Sequence, residues 1–187
     1  MARRKEYIEE EVIEKAMVLF WRNGYEGTSV RMLEKAMGIN QFSIYSSFGS
    51  KQGLFLKSIN CYEEYLQEMI GKLRNSTNGV EGIKTFFYDS IKPSGDCNTP
   101  KGCFVTNTLN EFANSEEKLI KEQVVKFTTA IKEIFIEKLR EGGEKDEALL
   151  IKQSNYLLIA KQGLSVAAKV ASQKELNDYI EMTFRDF

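Results

Sequence analysis

The chain has 187 residues, 42% of them hydrophobic and 28% charged, with a formal net charge of -1. That balance excludes a disordered chain and argues against a protein that coats nucleic acid through bulk positive charge, and the length fits one large domain or a small head on a larger body. The absence of histidine removes the commonest general base and metal ligand.

The charge is unevenly spread: residues 1–60 carry nine basic against seven acidic side chains, the remainder seventeen against twenty. The sign suits a head facing a polyanion on an acidic body. The charged start Met1-Ala2-Arg3-Arg4-Lys5 lacks a signal-peptide pattern, and the three cysteines are an odd number, so a cytoplasmic, reduced protein is expected. No window approaches the ~20 apolar residues of a membrane span. Only Pro93 and Pro100 interrupt the chain, so long helices are free to form on either side, and an all-α fold is predicted.

In chain order, Ile8, Val12, Ala16, Leu19 and Phe20 form the apolar face of a first helix ending at Asn23-Gly24. Thr28 or Ser29 caps a second helix, with Val30, Leu33 and Ala36 or Met37 inside, which stops at Gly38. Asn40 caps a third, Gln41 to Phe48, whose Ile44, Tyr45 and Phe48 turn inward. Two short helices joined by the turn Gly38-Ile39-Asn40 form a helix-turn-helix. Eight helical residues are about 12 Å long, matching the width of a DNA major groove. Gln41 can pair with an adenine edge, Ser43, Ser46 and Ser47 offer hydroxyls, and Phe42 can meet a thymine methyl. Thr28, Arg31, Asn40, Tyr45 and Lys51 lie at or near helix ends, where they would complete the interface and hold phosphates.

A long helix is predicted from Ser50 to about Leu73 on the stripe Leu54, Phe55, Ile59, Tyr62, Leu66, Met69 and Leu73. Asn78 with Glu81 reads as a capping box opening a helix to about Lys92. Pro93 to Pro100 is a loop, and Thr99-Pro100 opens a helix over Lys101 to Ala113. Asn114 with Glu117 starts another, running to Glu141 before Gly142-Gly143, and the last two span Asp146 to Ala171 and Lys174 to Phe184. About nine helices result.

The run Gly24-Tyr25-Glu26-Gly27-Thr28-Ser29-Val30, then Gly38-Ile39, Ser43-Ile44-Tyr45, Phe48 and Ser50-Lys51-Gln52-Gly53-Leu54-Phe55, closely resembles the N-terminal signature of TetR-family (TetR/AcrR) regulators. The match covers about residues 8–60 without gaps. The resemblance implies a helix-turn-helix DNA-binding domain over residues 1–50 and a helical ligand-binding and dimerisation body over 51–187. It implies a homodimer formed through the last two helices, a near-palindromic double-stranded operator, and repression released by a small-molecule inducer. Glu34, Phe42 and Ser47 depart from the common pattern, so the operator sequence does not carry over.

On that resemblance, Gly163, Ser165, Ala167, Ala168 and Ala171 allow close helix approach between subunits, and Leu157, Leu158, Leu164, Val166 and Val170 supply apolar area. A mostly apolar pocket among the central helices is expected, with Cys103, Phe104, Asn107, Glu111, Phe127, Tyr156 and Gln162 as candidate ligand residues, and Asn110 and Gln123 as further polar ones. Cys103 follows Lys101-Gly102 at a helix start, as in electrophile-responsive members, and Cys97 is near enough in sequence to suggest a disulfide switch. No catalytic residue, metal or cofactor is expected. The alternative is a small-molecule or redox-sensing protein whose head does not bind DNA.

Overall fold

A computed structural model describes residues 7–92, 102–143, 146–185 and 187. The described residues form ten helices and no strand: α1 (Glu9–Asn23), α2 (Val30–Met37), α3 (Gln41–Phe48), α4 (Lys51–Tyr65), α5 (Gln67–Asn75), α6 (Gly79–Asp89), α7 (Phe104–Glu111), α8 (Lys118–Arg140), α9 (Glu147–Ala167) and α10 (Gln173–Thr183). None is long and apolar enough to cross a membrane.

The tenth helix arises because the segment expected as one helix from Ser50 breaks at Leu66, whose N–H bonds to the carbonyls of Tyr62 and Glu63. The apolar stripe continues in register past this residue, so periodicity carries no sign of the break. The predicted capping box at Asn78 and Glu81 is absent, as Asn78 makes no side-chain cap. The box occurs at α10, where Ser172 and Glu175 satisfy each other's backbone N–H groups. Helix α7 begins at Phe104, and Thr99-Pro100 lies outside the described residues. Helix α8 begins at Lys118 rather than at Asn114. Ile8, assigned to the buried face of α1, is 57% exposed.

Two apolar cores hold the chain. The first joins Val12, Phe20, Leu33, Ile44 and Phe55 of α1–α4 to Phe104 and Phe112 around α7 and to Ile120 and Val124 of α8. The second joins α5, α6, the C-terminal half of α8, α9 and α10 around Ile83, Phe87, Phe135, Leu157 and Ile180. Helix α1 packs along α4, and α8 along α9. The helix-turn-helix therefore does not float on a linker; its core runs on into the body.

Phe55 is the junction. It is fully buried, and its ring meets those of Phe20 at 4.9 Å, Tyr25 at 5.0 Å, Phe104 at 5.4 Å and Phe112 at 5.8 Å. Phe55→Ala is expected to lower the unfolding free energy by about 3–5 kcal/mol, because the surrounding rings collapse only partly into the void. Denaturant unfolding followed by helical circular dichroism measures this.

Candidate functional site

The head is built by local chemistry at each helix end. Ser29 accepts the Met32 N–H at 3.2 Å and caps α2. Gly38 then adopts a left-handed φ of 72°, turning the chain where a Cβ would be strained. The α3 terminus is capped twice: Asn40 Oδ1 accepts the Ser43 N–H at 2.8 Å, and Glu34 Oε1 accepts the Gln41 N–H at 2.6 Å. Glu34, a departure from the family pattern, thus has a structural task, satisfying an otherwise orphan donor and placing a carboxylate at the positive end of the α3 dipole.

Ile44 and Phe48 hold α3 to the core, while Gln41, Phe42, Tyr45 and Ser46 are exposed, Phe42 by 80%. Tyr45 was expected inside and is 38% exposed instead. The reason is helical phase: it follows the buried Ile44 by one residue, and Phe48 completes the inner face without it. Ser43 and Ser47 are half-buried, and the Ser47 hydroxyl shares a 2.6 Å hydrogen bond with that of Tyr7. Arg31 and Asn40 are exposed. Lys51 lies with its Nζ 4.2 Å from the centre of the Tyr25 ring. Thr28 is fully buried and its hydroxyl donates to the Gly24 carbonyl at 2.6 Å, so that hydroxyl braces the α1–α2 loop and does not face outward.

The body holds a partly open cavity of about 860 Å³ between α1, α4–α9 and the start of α10, lined by Trp21, Tyr62, Phe86 and Phe127 together with polar and charged side chains. Of the candidate ligand residues, Cys103, Phe127 and Gln162 line it, whereas Phe104, Asn107, Glu111 and Tyr156 do not. Phe104 is buried against Phe55 and Tyr62. Asn107 has its Oδ1 buried without a hydrogen-bond partner. Tyr156 is on the outside, stacked on Phe187 at 6.0 Å. Gln123 reaches Asn60 and Glu63 of α4 instead of a ligand. Cys97 lies outside the described residues. Burial, and next the neighbouring Cys103, push the Tyr62 phenol well above its usual range, so it remains a neutral wall.

Glu111 has a different role. Its carboxylate accepts the N–H of Tyr25 and that of Glu26, both at 2.9 Å, clasping the α1–α2 loop of the head. The approach needs Gly24, with φ 77°, because a Cβ there would meet the Glu111 carboxylate oxygen at 2.9 Å. Helix α7 therefore has Cys103 and Thr106 in the cavity wall at one end and the head in its grip at the other. Lys161 also stands in the cavity wall, and its one signal in the sequence is a charge on the face marked by Leu157, Ala160 and Leu164.

On the opposite side of α9, Tyr156, Ile159, Gly163 and Val166 are exposed at helical spacing, joined by Val170 in the turn that follows and by Tyr179 and Met182 of α10. Leu157 and Leu164, expected at a subunit interface, are buried in the second core instead, and Ser165 is buried beside Gly102 with its hydroxyl on Lys161.

Residues 12–57, from the first turn of α1 to the first half of α4, match the family of bacterial regulatory proteins, tetR family. That segment is a TetR-family regulatory domain, and the chain as a whole is similar to TetR-family DNA-binding transcriptional regulators. Over 190 residues it is 25% identical to the uncharacterized HTH-type transcriptional regulator YezE of Bacillus subtilis (strain 168), covering 98% of this chain and 97% of YezE. It is 24% identical to the HTH-type transcriptional repressor ComR of Escherichia coli (strain K12), over 92% of this chain and 85% of ComR. Among solved structures, a cysteine mutant of the TetR family transcriptional regulator CifR, complexed with 26-base-pair double-strand operator DNA, shares the fold with a TM-score of 0.87 and 24% identity, covering 99% of this chain and all of that one. These TetR-family relatives are regulators and not enzymes.

Proposed function

We propose that this chain is a homodimeric, cytoplasmic TetR-family repressor that reads a near-palindromic operator with α3 and releases it when a small molecule occupies the body cavity. Residues 1–50 act as the DNA-binding unit and 51–187 as the sensing and pairing unit. The observation that carries the reading is the outward face of α3, where Gln41, Phe42, Tyr45 and Ser46 stand free on a helix held by two caps. Gln41 and Ser46 have the donors and acceptors to read base edges, and Phe42 has an apolar surface for a thymine methyl. Arg31, Asn40, Tyr45 and Lys51 would position the head on phosphates, with Ser43 and Ser47 nearer the rim and Thr28 acting through the loop it braces. ComR is named a repressor, and the CifR structure carries operator DNA, which supports the same reading for a chain of this fold.

A symmetric operator requires two heads, and the exposed apolar face of α9 and α10 supplies a surface that a second copy would cover. Release follows if a cavity ligand favours a position of α7 in which Glu111 draws the α1–α2 loop, and α3 with it, out of register.

Footprinting of the purified protein on DNA from its own gene neighbourhood is expected to reveal protected, two-fold-related half-sites, and absence of any protected site at low salt would contradict the reading. On the site found, Gln41→Ala is expected to cost about 1–3 kcal/mol and relax sequence preference at one position, while Lys51→Ala weakens binding to all sequences and lowers the salt slope by about 1. Ile159→Glu, which sets a charge at the centre of the α9 face, is expected to yield a folded monomer in sedimentation and to lose operator binding.

A further inference from the structure

We propose that the body cavity takes a small amphiphile with a single anionic group, such as a carboxylate, seated on Lys161, its apolar portion lying against Trp21, Phe86 and Phe127. This rests on the reading of the cavity as an effector site and names the chemistry that site selects.

Three basic and two acidic side chains line the cavity among the described residues. Lys72 pairs with Glu68 at 2.7 Å, and Lys92 with Asp89 at 2.5 Å. Lys161 is left over: its Nζ donates to the Ser165 hydroxyl at 2.8 Å, and no carboxylate among the described residues pairs with it. The Ser165 hydroxyl in turn donates to the Lys161 carbonyl at 2.9 Å, so the serine is committed as an acceptor toward the amine. Phe86, 6.0 Å from Nζ, adds at most a marginal cation–π contact. Lys161 is half-buried; the more deeply buried Lys138, 4% exposed, has both the Ser76 carbonyl at 2.7 Å and the Glu141 carboxylate at 2.8 Å.

An ammonium withdrawn from water needs a counter-ion or loses its proton. Burial indeed pushes the Lys161 amine below the ordinary lysine range. The other hydrogen-bonding defect on this wall is of the same kind: Trp21 also lines the cavity, and its indole N–H is buried without an acceptor. Around Lys161 and Trp21 the free groups are donors, since the two carboxylates of the wall, Glu68 and Asp89, are already paired with Lys72 and Lys92, and much of the rest of the lining is aromatic and aliphatic. A ligand with an anionic head and an apolar body suits both.

Trp21 is the chain's single tryptophan, so its fluorescence reports occupancy. The full-length protein is titrated with decanoate, 1-decanol and decyltrimethylammonium, which share a tail and differ in head charge. Decanoate is expected to bind about tenfold or more tighter than 1-decanol, with the cation weakest. In Lys161→Met that preference is expected to fall to within about twofold while 1-decanol binding persists, and Lys161→Arg retains it. Equal binding of decanoate and 1-decanol, a preference for the cation, or an undiminished preference in Lys161→Met overturns the anion assignment and leaves the effector site standing. If none of the three binds, both the assignment and the effector site fall.

Discussion

The orientation of the helix-turn-helix on the body depends on one clasp between parts distant in sequence. Glu111 lies eighty-six positions from Tyr25, yet its carboxylate receives the backbone N–H groups of Tyr25 and Glu26 at the loop that leads into the helix-turn-helix. The bond is exposed to water, so it contributes modestly to stability, and the buried rings of Phe55, Phe104 and Phe112 hold the junction together energetically. What the clasp supplies is direction. Charge-assisted bonds to two adjacent amides fix the orientation of α7 against the loop in a way that ring packing alone does not.

That geometry gives the proposed repressor its means of communication. Helix α7 has eight residues and is about 12 Å long, short enough to move as a rigid body. Its first turn contributes to the cavity, its last residue holds the head, and both ends share the first apolar core. A ligand shifts such a system only by its difference in affinity between two arrangements, and the same factor then appears in operator affinity. Lys161 on α9 and Cys103 at the base of α7 form neighbouring parts of one wall, so an anion drawn to Lys161 presses where α7 begins.

The helix-turn-helix was legible in the sequence because its determinants are local: Ser29 and Asn40 as caps, Gly38 as the turn, and Ile44 and Phe48 at helical spacing. The break at Leu66 was not, because the apolar stripe passes through it unchanged. Residues around the cavity were separable only by tertiary packing. Phe104 and Phe127 look alike in sequence, but one enters the junction core and the other faces the cavity. Glu111 looked like a ligand group because a carboxylate near a pocket helix has no sequence mark of a partner so far upstream. Along α9, Leu157 and Leu164 turn inward and Ile159 and Val166 outward, a division that composition cannot make in a helix apolar on two sides.

The most direct test of the account compares operator affinity with and without saturating decanoate, in the wild-type protein and in Glu111→Ala. Decanoate is expected to weaken wild-type operator binding by about fivefold or more, and in Glu111→Ala this ratio is expected to collapse to within about twofold while the variant still binds both DNA and decanoate. A Glu111→Ala protein whose operator affinity responds to decanoate as strongly as the wild type would contradict it.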